Sequence, residues 1–257
     1  MSLSGMGGRS VHRVEGGRGA VVVKAGAAAR EAFFYRHLAP RLPDTVRVPA
    51  CEVYDGAGGP YLLLEELAAL PPDRWAGPEV YDVLVALHGV PGPVELPDPF
   101  VPRWSADLAA GVVSDPAVAR VLELVRTETQ PWLAGDTLVS GDPNPRNWTV
   151  RPAGGPVLLD WERVGLATGA VDLAIAVPGL PGPEEAARAA TGYPEAASRA
   201  GQEPGIPVEE MGRAVLLVKT WTAVELLAQE SHHADDVLAR TQRWLAAELP
   251  AWLRSWH

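Results

Sequence analysis

Near its start, the chain alternates apolar and polar positions in the short runs that are typical of β-strands. A glycine-rich segment, residues 16–19, separates the first two runs and predicts a hairpin turn. Between the two pairs of runs, residues 27–38 are helical by propensity and place Phe33, Phe34 and His37 on one side. We therefore expect a small β-rich region with one helix. Its strands are predicted at residues 10–14, 20–23, 46–54 and 61–65.

Farther along, the apolar positions follow a helical period. Pro78 suits a first helical turn, and the apolar residues that follow it fall on one face. Asp115–Pro116 predicts the start of another helix, which is expected to end near Glu128. Residues 183–200 and 208–248 predict at least two more helices.

Strands followed by helices predict an α+β fold with two parts. The division is expected at residues 66–69, because Pro71 and Pro72 follow at once and no later strand pair is evident before Leu138. The N-terminal lobe would then comprise residues 1–68, and the larger, mostly helical lobe would comprise residues 69–257.

The candidate chemistry lies in residues 139–174. Asp142 and Asn147 are on a proline-rich loop, and a Gly154–Gly155 turn then leads into an apolar run that ends at Asp160. A hairpin would bring Asn147 and Asp160 side by side as hard oxygen ligands, which suit Mg²⁺. Asp142 is expected to remain free nearby and to accept a proton from a substrate hydroxyl. These residue types at this spacing favour a phosphoryl-transfer site.

The same segment resembles the catalytic and metal-binding loops of the aminoglycoside phosphotransferase/choline kinase family, which shares the protein-kinase-like fold. The family pattern H-G-D-x-x-x-x-N is similar to residues 140–147, and the strand end I-D-W or I-D-F is similar to Asp160–Trp161. The family's D-L-A corresponds to Asp172–Leu173–Ala174, where Asp172 is expected to cap the next helix and hold the catalytic loop.

This resemblance implies an ATP-dependent small-molecule kinase with a two-lobed, protein-kinase-like fold. Asp142 would be the catalytic residue, and Asn147 and Asp160 would hold Mg²⁺. The acceptor would be a small-molecule hydroxyl. The family includes kinases of aminoglycosides, macrolides, choline, homoserine and fructosamines.

The resemblance also gives Lys24 a role, as the strand lysine that contacts the ATP phosphates while Glu31 holds it. Taken alone, such a pair would be read as a snorkelling surface lysine and a solvated glutamate. Lysine is scarce, however: Lys24 and Lys219 are the lysines among 22 basic residues. A lysine in such a chain suggests a compact ammonium that the planar guanidinium cannot imitate.

The rest of the nucleotide site is expected at two places. Gly5, Gly7 and Gly8 would form the loop that covers the phosphates, although their sequence is neither G-x-G-x-x-G nor a Walker motif. The backbone near Glu65 and Leu67 resembles the family's linker between lobes, which hydrogen-bonds the adenine.

Ser140 departs from the family, which usually has histidine there. The short glycine loop and Ser140 together leave open a second hypothesis, a kinase-like nucleotide-binding protein with weak or no activity. A third hypothesis, a metal-dependent phosphohydrolase, could also use two carboxylates, but it explains neither Lys24 nor the order of strands and helices.

The composition of the chain narrows the classes of molecule that it is expected to bind. The net charge of −10 argues against nucleic acid and anionic membrane surfaces, and it is compatible with a cationic acceptor. No apolar run approaches a membrane span. The single cysteine, Cys51, excludes an internal disulfide and fits a reducing compartment, so a cytoplasmic protein is expected. Acidic residues in the helical region could meet a cationic substrate: Glu209, Glu210, Glu225, Glu230, Asp235 and Asp236.

Overall fold

The structure is a computed structural model of the chain. It describes residues 2–4, 10–16, 19–92, 95–105, 107, 115–152, 154–180, 182–228 and 235–255.

An antiparallel sheet with the strand order β1-β2-β3-β5-β4 forms the N-terminal region. The predicted hairpin is confirmed, because Gly16 at the end of the second strand pairs with Gly19 at the start of the third. The prediction for residues 46–54 is wrong in its first part: the strand begins at Cys51, since Pro49 has no N–H to donate to a ladder. The strands are β1 (Ser2–Ser4), β2 (Ser10–Gly16), β3 (Gly19–Ala25), β4 (Cys51–Gly56) and β5 (Gly59–Glu65).

Helix α1 (Ala29–Phe33) packs against this sheet and continues as a π-helical turn over Phe34–Leu38. It begins two residues later than the predicted start at residue 27. On the neighbouring strand, Lys24 lies directly opposite Leu62 in the register of β3 and β5. Residues opposite each other project from the same face, and Leu62 is fully buried. The side chain of Lys24 therefore enters the interior.

The remaining helices form the C-terminal region, as the sequence predicts. The helix at residues 183–200 has the predicted bounds, whereas the helix that begins at Pro116 continues past Glu128 to Leu133. In the described part of the region 208–248 there are two helices, and the second continues through a π-helical turn over Trp244–Glu248. The helices are α2 (Pro78–His88), α3 (Pro116–Leu133), α4 (Ala170–Ala176), α5 (Pro183–Ala200), α6 (Val208–Ala228), α7 (Asp235–Arg243) and α8 (Leu249–Ser255). None of the helices that the structure describes has the length and apolar character needed to cross a membrane.

Two small antiparallel sheets support the loop between α3 and α4. One has the order β6-β8-β9 and the other pairs β7 with β10. The sequence did not predict the second pair, because strands of three residues give little periodicity. The strands are β6 (Ala68–Ala69), β7 (Thr137–Val139), β8 (Trp148–Val150), β9 (Pro156–Leu158) and β10 (Gly165–Ala167).

Candidate active site

The catalytic loop begins where β7 ends, and its path is fixed by a glycine. Gly141 has a φ of +76°, which favours glycine. A Cβ atom added there would lie 2.1 Å from the carbonyl oxygen of Arg163. The Ser140–Gly141–Asp142 turn therefore packs directly against the backbone that follows Asp160.

Asp142 is held by two amide side chains, so the expectation that its carboxylate is free was wrong. Asn144 Nδ2 donates to Asp142 Oδ1 at 2.8 Å, and Asn147 Nδ2 donates to Oδ2 at 3.1 Å. Burial raises the pKa of Asp142 above its ordinary value, although the bonds from Asn144 and Asn147 and the charge of Arg163 oppose the shift. A raised pKa makes an oriented carboxylate a better proton acceptor.

The hairpin brings Asn147 beside Leu159, one residue before Asp160. Asn147 ends a short 3₁₀ turn (Pro145–Asn147), so the strand opens at Trp148 and not at Asn147 itself. The N–H of Leu159 donates to the carbonyl of Asn147 at 2.8 Å. Asp160 has a φ of +56°, a left-handed conformation that is uncommon outside glycine and concentrates at functional sites. Because Asn147 Nδ2 bonds to Asp142, its Oδ1 is the atom suited to a cation.

Lys24 meets this group from the N-terminal sheet. Its Nζ lies 2.8 Å from Asp160 Oδ1 and 2.9 Å from Glu31 Oε1. Burial opposes the charge of Lys24, but the two carboxylates outweigh it and raise the pKa above that of a free lysine. Burial raises the pKa of Glu31 to about 7, although Lys24 opposes the shift. The ring of Phe34 stacks on Trp161 with centroids 3.9 Å apart, and so fixes the helical segment after Glu31 against the Asp160 loop.

The sequence reasoning missed a third carboxylate, Glu162, whose Oε2 lies 3.4 Å from Lys24 Nζ. Oxygen atoms of Glu31, Asp160 and Glu162 lie within 4.8 Å of one another. Such hard donors, together with Asn147, are suited to Mg²⁺. The signal that could have revealed Glu162 is the acidic pair two residues apart, D-W-E.

Asp172 holds the catalytic loop from behind. Its fully buried carboxylate accepts the N–H groups of Ser140 and Gly141 at 2.8 Å each, and Ser140 Oγ lies 3.2 Å away. The expectation that Asp172 holds the loop is confirmed. The expectation that it caps the helix is wrong, since the residue before α4 is Gly169 and Asp172 lies within the first turn.

His88 extends this buried network, which the sequence reasoning did not foresee. Its Nε2 lies 3.2 Å from Asp172 Oδ2, and its Nδ1 lies 2.7 Å from the hydroxyl of Tyr193. Ser140 is thus bonded to Asp172 through its N–H and its hydroxyl, and the imidazole beside Asp172 comes from His88 at the end of α2.

Glu65 and Leu67 lie at the end of β5 and just beyond it. The N–H of Glu65 donates to the carbonyl of Ala50 at 2.8 Å. The side chain of Glu65 accepts two hydrogen bonds from Arg151, at 3.0 and 2.5 Å. The carbonyl of Glu65 and the backbone of Leu67 thus remain the candidates for adenine. Gly5, Gly7 and Gly8 lie outside the described residues.

The guanidinium of Arg163, whose charge acts on Asp142, pairs with Glu225 at 2.9 Å. It also lies over the ring of Phe100, 4.2 Å from the centroid, and within 5.7 Å of the Trp221 centroid. Glu225 was one of the acidic candidates for a cationic acceptor, and its charge is already compensated by Arg163.

Comparison with solved structures shows the class of fold to which the chain belongs. The chain is similar to a thermostable mutant of the aminoglycoside phosphotransferase APH(4)-Ia, with a TM-score of 0.61, 16% identity and coverage of 98% of this chain and 94% of that one. For macrolide 2'-phosphotransferase MphH from Brachybacterium faecium the TM-score is 0.61, with 16% identity and 96% and 91% coverage. For choline kinase LicA from Streptococcus pneumoniae it is 0.64, with 14% identity and 98% and 93% coverage. The fold is protein-kinase-like.

The sequence then identifies the family. The family model described as "Phosphotransferase enzyme family" matches residues 4–205. The chain belongs to that family and is a phosphotransferase. No curated protein sequence matches it.

Proposed function

We propose that this protein is an ATP-dependent kinase that transfers the γ-phosphoryl group to a hydroxyl of a small molecule. The observation that supports this proposal is the contact between Lys24, on the N-terminal sheet, and the catalytic hairpin that carries Asp142, Asn147 and Asp160. Lys24 Nζ lies 2.8 Å from Asp160, the amide of Asn147 donates to Asp142, and the carbonyl of Asn147 accepts from the N–H of Leu159, the residue before Asp160. We place the nucleotide between residues 1–68 and residues 69–257, which we propose as the two lobes.

Each side chain has a role that follows from its surroundings. The ammonium of Lys24, fixed by Glu31, would neutralise the α- and β-phosphates. Asn147 and Asp160 would hold Mg²⁺, with Glu162 nearby, and the ion supplies compensation for the charge that develops on the phosphate oxygens. The carbonyl of Glu65 and the N–H of Leu67 would bind adenine, and the backbone of Gly5, Gly7 and Gly8 would cover the phosphates.

Asp142 would orient the acceptor hydroxyl and take its proton. The acceptor oxygen then forms a bond to the γ-phosphorus, the bond from that phosphorus to the β–γ bridging oxygen breaks, and ADP leaves. Neighbours that are named as aminoglycoside, macrolide and choline kinases support a small polar alcohol as the acceptor. We place the reaction in the cytoplasm, where a reducing environment suits the single thiol.

The test is the substitution Asp142→Asn in an ADP-release assay over a panel of alcohols and aminoglycosides. We expect kcat to fall by about a hundredfold or more, because a positioned general base is lost. The thermal shift caused by ATP and Mg²⁺ should persist, since Lys24 and Asp160 are unchanged. Asp136→Asn, which changes an exposed aspartate directly before β7, is the control.

The outcomes separate the alternatives. Near-normal phosphorylation by Asp142→Asn would remove this residue from its proposed role. Binding of ATP and Mg²⁺ by the wild type without turnover of any acceptor would favour a non-catalytic nucleotide-binding protein. Steady phosphate release from an ester without nucleotide would favour a phosphohydrolase.

A further inference from the structure

Lys219 is the second lysine of the chain, and the proposed reaction gives it no role. It lies on α6, is 8% exposed and is flanked by the fully buried residues Val218 and Thr220. A buried ammonium is unfavourable unless its N–H groups find acceptors. The question is therefore which atoms hold it.

The acceptors of Lys219 are carbonyl groups at the C-terminal end of α4. Its Nζ donates to the carbonyl of Ala174 at 2.9 Å and to that of Val177 at 2.7 Å. The last carbonyls of a helix lack partners within the helix and carry partial negative charge, so an ammonium there is favourable. Lys219 thus fastens this end of α4 to α6.

The first turn of the same helix holds the catalytic loop. Asp172 accepts the N–H groups of Ser140 and Gly141, and Asp142 is the next residue. Helix α4 has seven residues, so its two ends are only about 10 Å apart. A displacement at the Lys219 end would reach Asp142 through one short helix and two hydrogen bonds.

The contacts of the ammonium explain why position 219 is lysine in a chain whose basic residues, apart from Lys24, are otherwise arginine. Two carbonyl oxygens match a compact ammonium, whereas a guanidinium would bring five donors in a wider planar group. The carboxylate of Asp142 is also close enough to favour the charged form of Lys219. The ammonium therefore adds positive charge on the side of the catalytic carboxylate.

We propose that Lys219 is a positioning residue for phosphoryl transfer: it holds α4, and through Asp172 it sets the place of the catalytic loop and of Asp142. The kinetic part of this inference rests on the proposed function. The structural part, that Lys219 holds α4 and so the hydrogen bonds of the Ser140 and Gly141 amides, does not rest on it.

The experiment compares Lys219→Met and Lys219→Gln with a matched control, Thr220→Val. Thr220 is the next residue of α6, and its hydroxyl donates within that helix, to the carbonyl of Leu216 at 2.9 Å. Hydrogen exchange of the Ser140 and Gly141 amides is measured together with ATP turnover. Lys219→Met should speed exchange at both amides and lower kcat by about ten- to a hundredfold, as expected for a misplaced catalytic group. The KM for ATP should stay unchanged, and Lys219→Gln, which retains a donor, should recover part of both losses.

Each other outcome has a defined meaning. Unchanged exchange and unchanged kcat in Lys219→Met would overturn the inference while wild-type turnover leaves the proposed function standing. If the wild type turns over no acceptor, the proposed function fails, and the exchange of the two amides alone decides for or against Lys219. Parallel loss of ATP binding and activity, or failure of both Lys219 variants to fold when Thr220→Val folds, would overturn the inference in favour of a purely structural lysine.

Discussion

The two lysines respond to burial in opposite directions, and the difference lies in what each ammonium contacts. Lys24 touches the carboxylates of Glu31 and Asp160, whose charges outweigh burial and raise its pKa. Lys219 touches carbonyl dipoles, so burial prevails and lowers its pKa to about 8, although Asp142 opposes the shift. Full charges compensate a buried ammonium better than dipoles do. Lys24 therefore keeps its proton at neutral pH, whereas Lys219 titrates only slightly above it.

This difference predicts that stability and activity change in opposite directions in alkaline solution. Between pH 8 and 10.5 the unfolded chain retains the proton of Lys219 and the folded chain does not. The unfolded state then binds more protons, so the free energy of unfolding of the wild type rises with pH relative to Lys219→Met. Over the same range kcat of the wild type should fall relative to that variant, because the neutral amine holds α4 less firmly.

Chemical denaturation and initial-rate measurements at matched pH values check both halves of this prediction. If neither the difference in the free energy of unfolding nor the ratio of kcat between the wild type and Lys219→Met changes with pH, Lys219 does not titrate in this range. Thr220→Val serves again as the control, since it leaves the ammonium in place.

At the scale of elements, one buried chain of polar groups joins three helices to the catalytic loop. Tyr193 on α5 contacts His88 on α2, and His88 contacts Asp172 on α4. Asp172 donates nothing when ionised, so the bond from His88 places a proton on Nε2, and Nδ1 of a neutral ring then accepts from the Tyr193 hydroxyl. The catalytic loop is thus held by a network that extends from Asp172 on α4 through His88 on α2 to Tyr193 on α5.

This network predicts different effects for two tyrosines at the contact of α2 and α5. Tyr193→Phe removes the hydroxyl that contacts His88 at 2.7 Å, and we expect it to lower the free energy of unfolding by about 1 kcal/mol and to reduce kcat. Tyr81 is equally buried and close to Gly192 of α5, but it has no part in the network. Tyr81→Phe should therefore change neither quantity. Equal effects of the two substitutions, in denaturant unfolding and in turnover, would contradict the network.

The elements also show what the sequence could and could not reveal. Asn147 and Asp160 could be placed together because a local hairpin joins them, and the helix at residues 183–200 was predictable from its period. Lys24 and Asp160 are 136 positions apart, and only the family resemblance could connect them. Glu162 could have been suspected from its spacing to Asp160, whereas His88 and Lys219 obtain their contacts from tertiary packing between elements, for which no local pattern exists.

At the scale of the whole molecule, the N-terminal sheet is joined to the catalytic hairpin next to the proposed adenine site, in addition to the contact between Lys24 and Asp160. Strand β6 pairs with β8, and Arg151, directly after β8, forms a bidentate ion pair with Glu65 at the end of β5. The hydrogen bonds from Arg151 lower the pKa of Glu65, although burial opposes the shift. Arg151 also donates to the carbonyl of Val48 at 3.0 Å. The proposed adenine-binding backbone and the proposed metal ligands therefore share one support.

Loosening this support should weaken nucleotide binding more than the chemical step. We expect Arg151→Met to raise the KM for ATP several-fold, because Glu65 and Leu67 would lose their fixed place relative to Asn147 and Asp160, while kcat at saturating ATP changes little. Arg126→Met is the control: it removes a bidentate pair with Glu123 that lies within one helix and joins no two sheets. If both substitutions leave the KM for ATP unchanged, the other contacts between the two regions, such as the β6–β8 pairing and the bond from Lys24 to Asp160, are enough to set their relation. If Arg151→Met lowers kcat at constant KM, the ion pair acts on the catalytic hairpin and not on the adenine site.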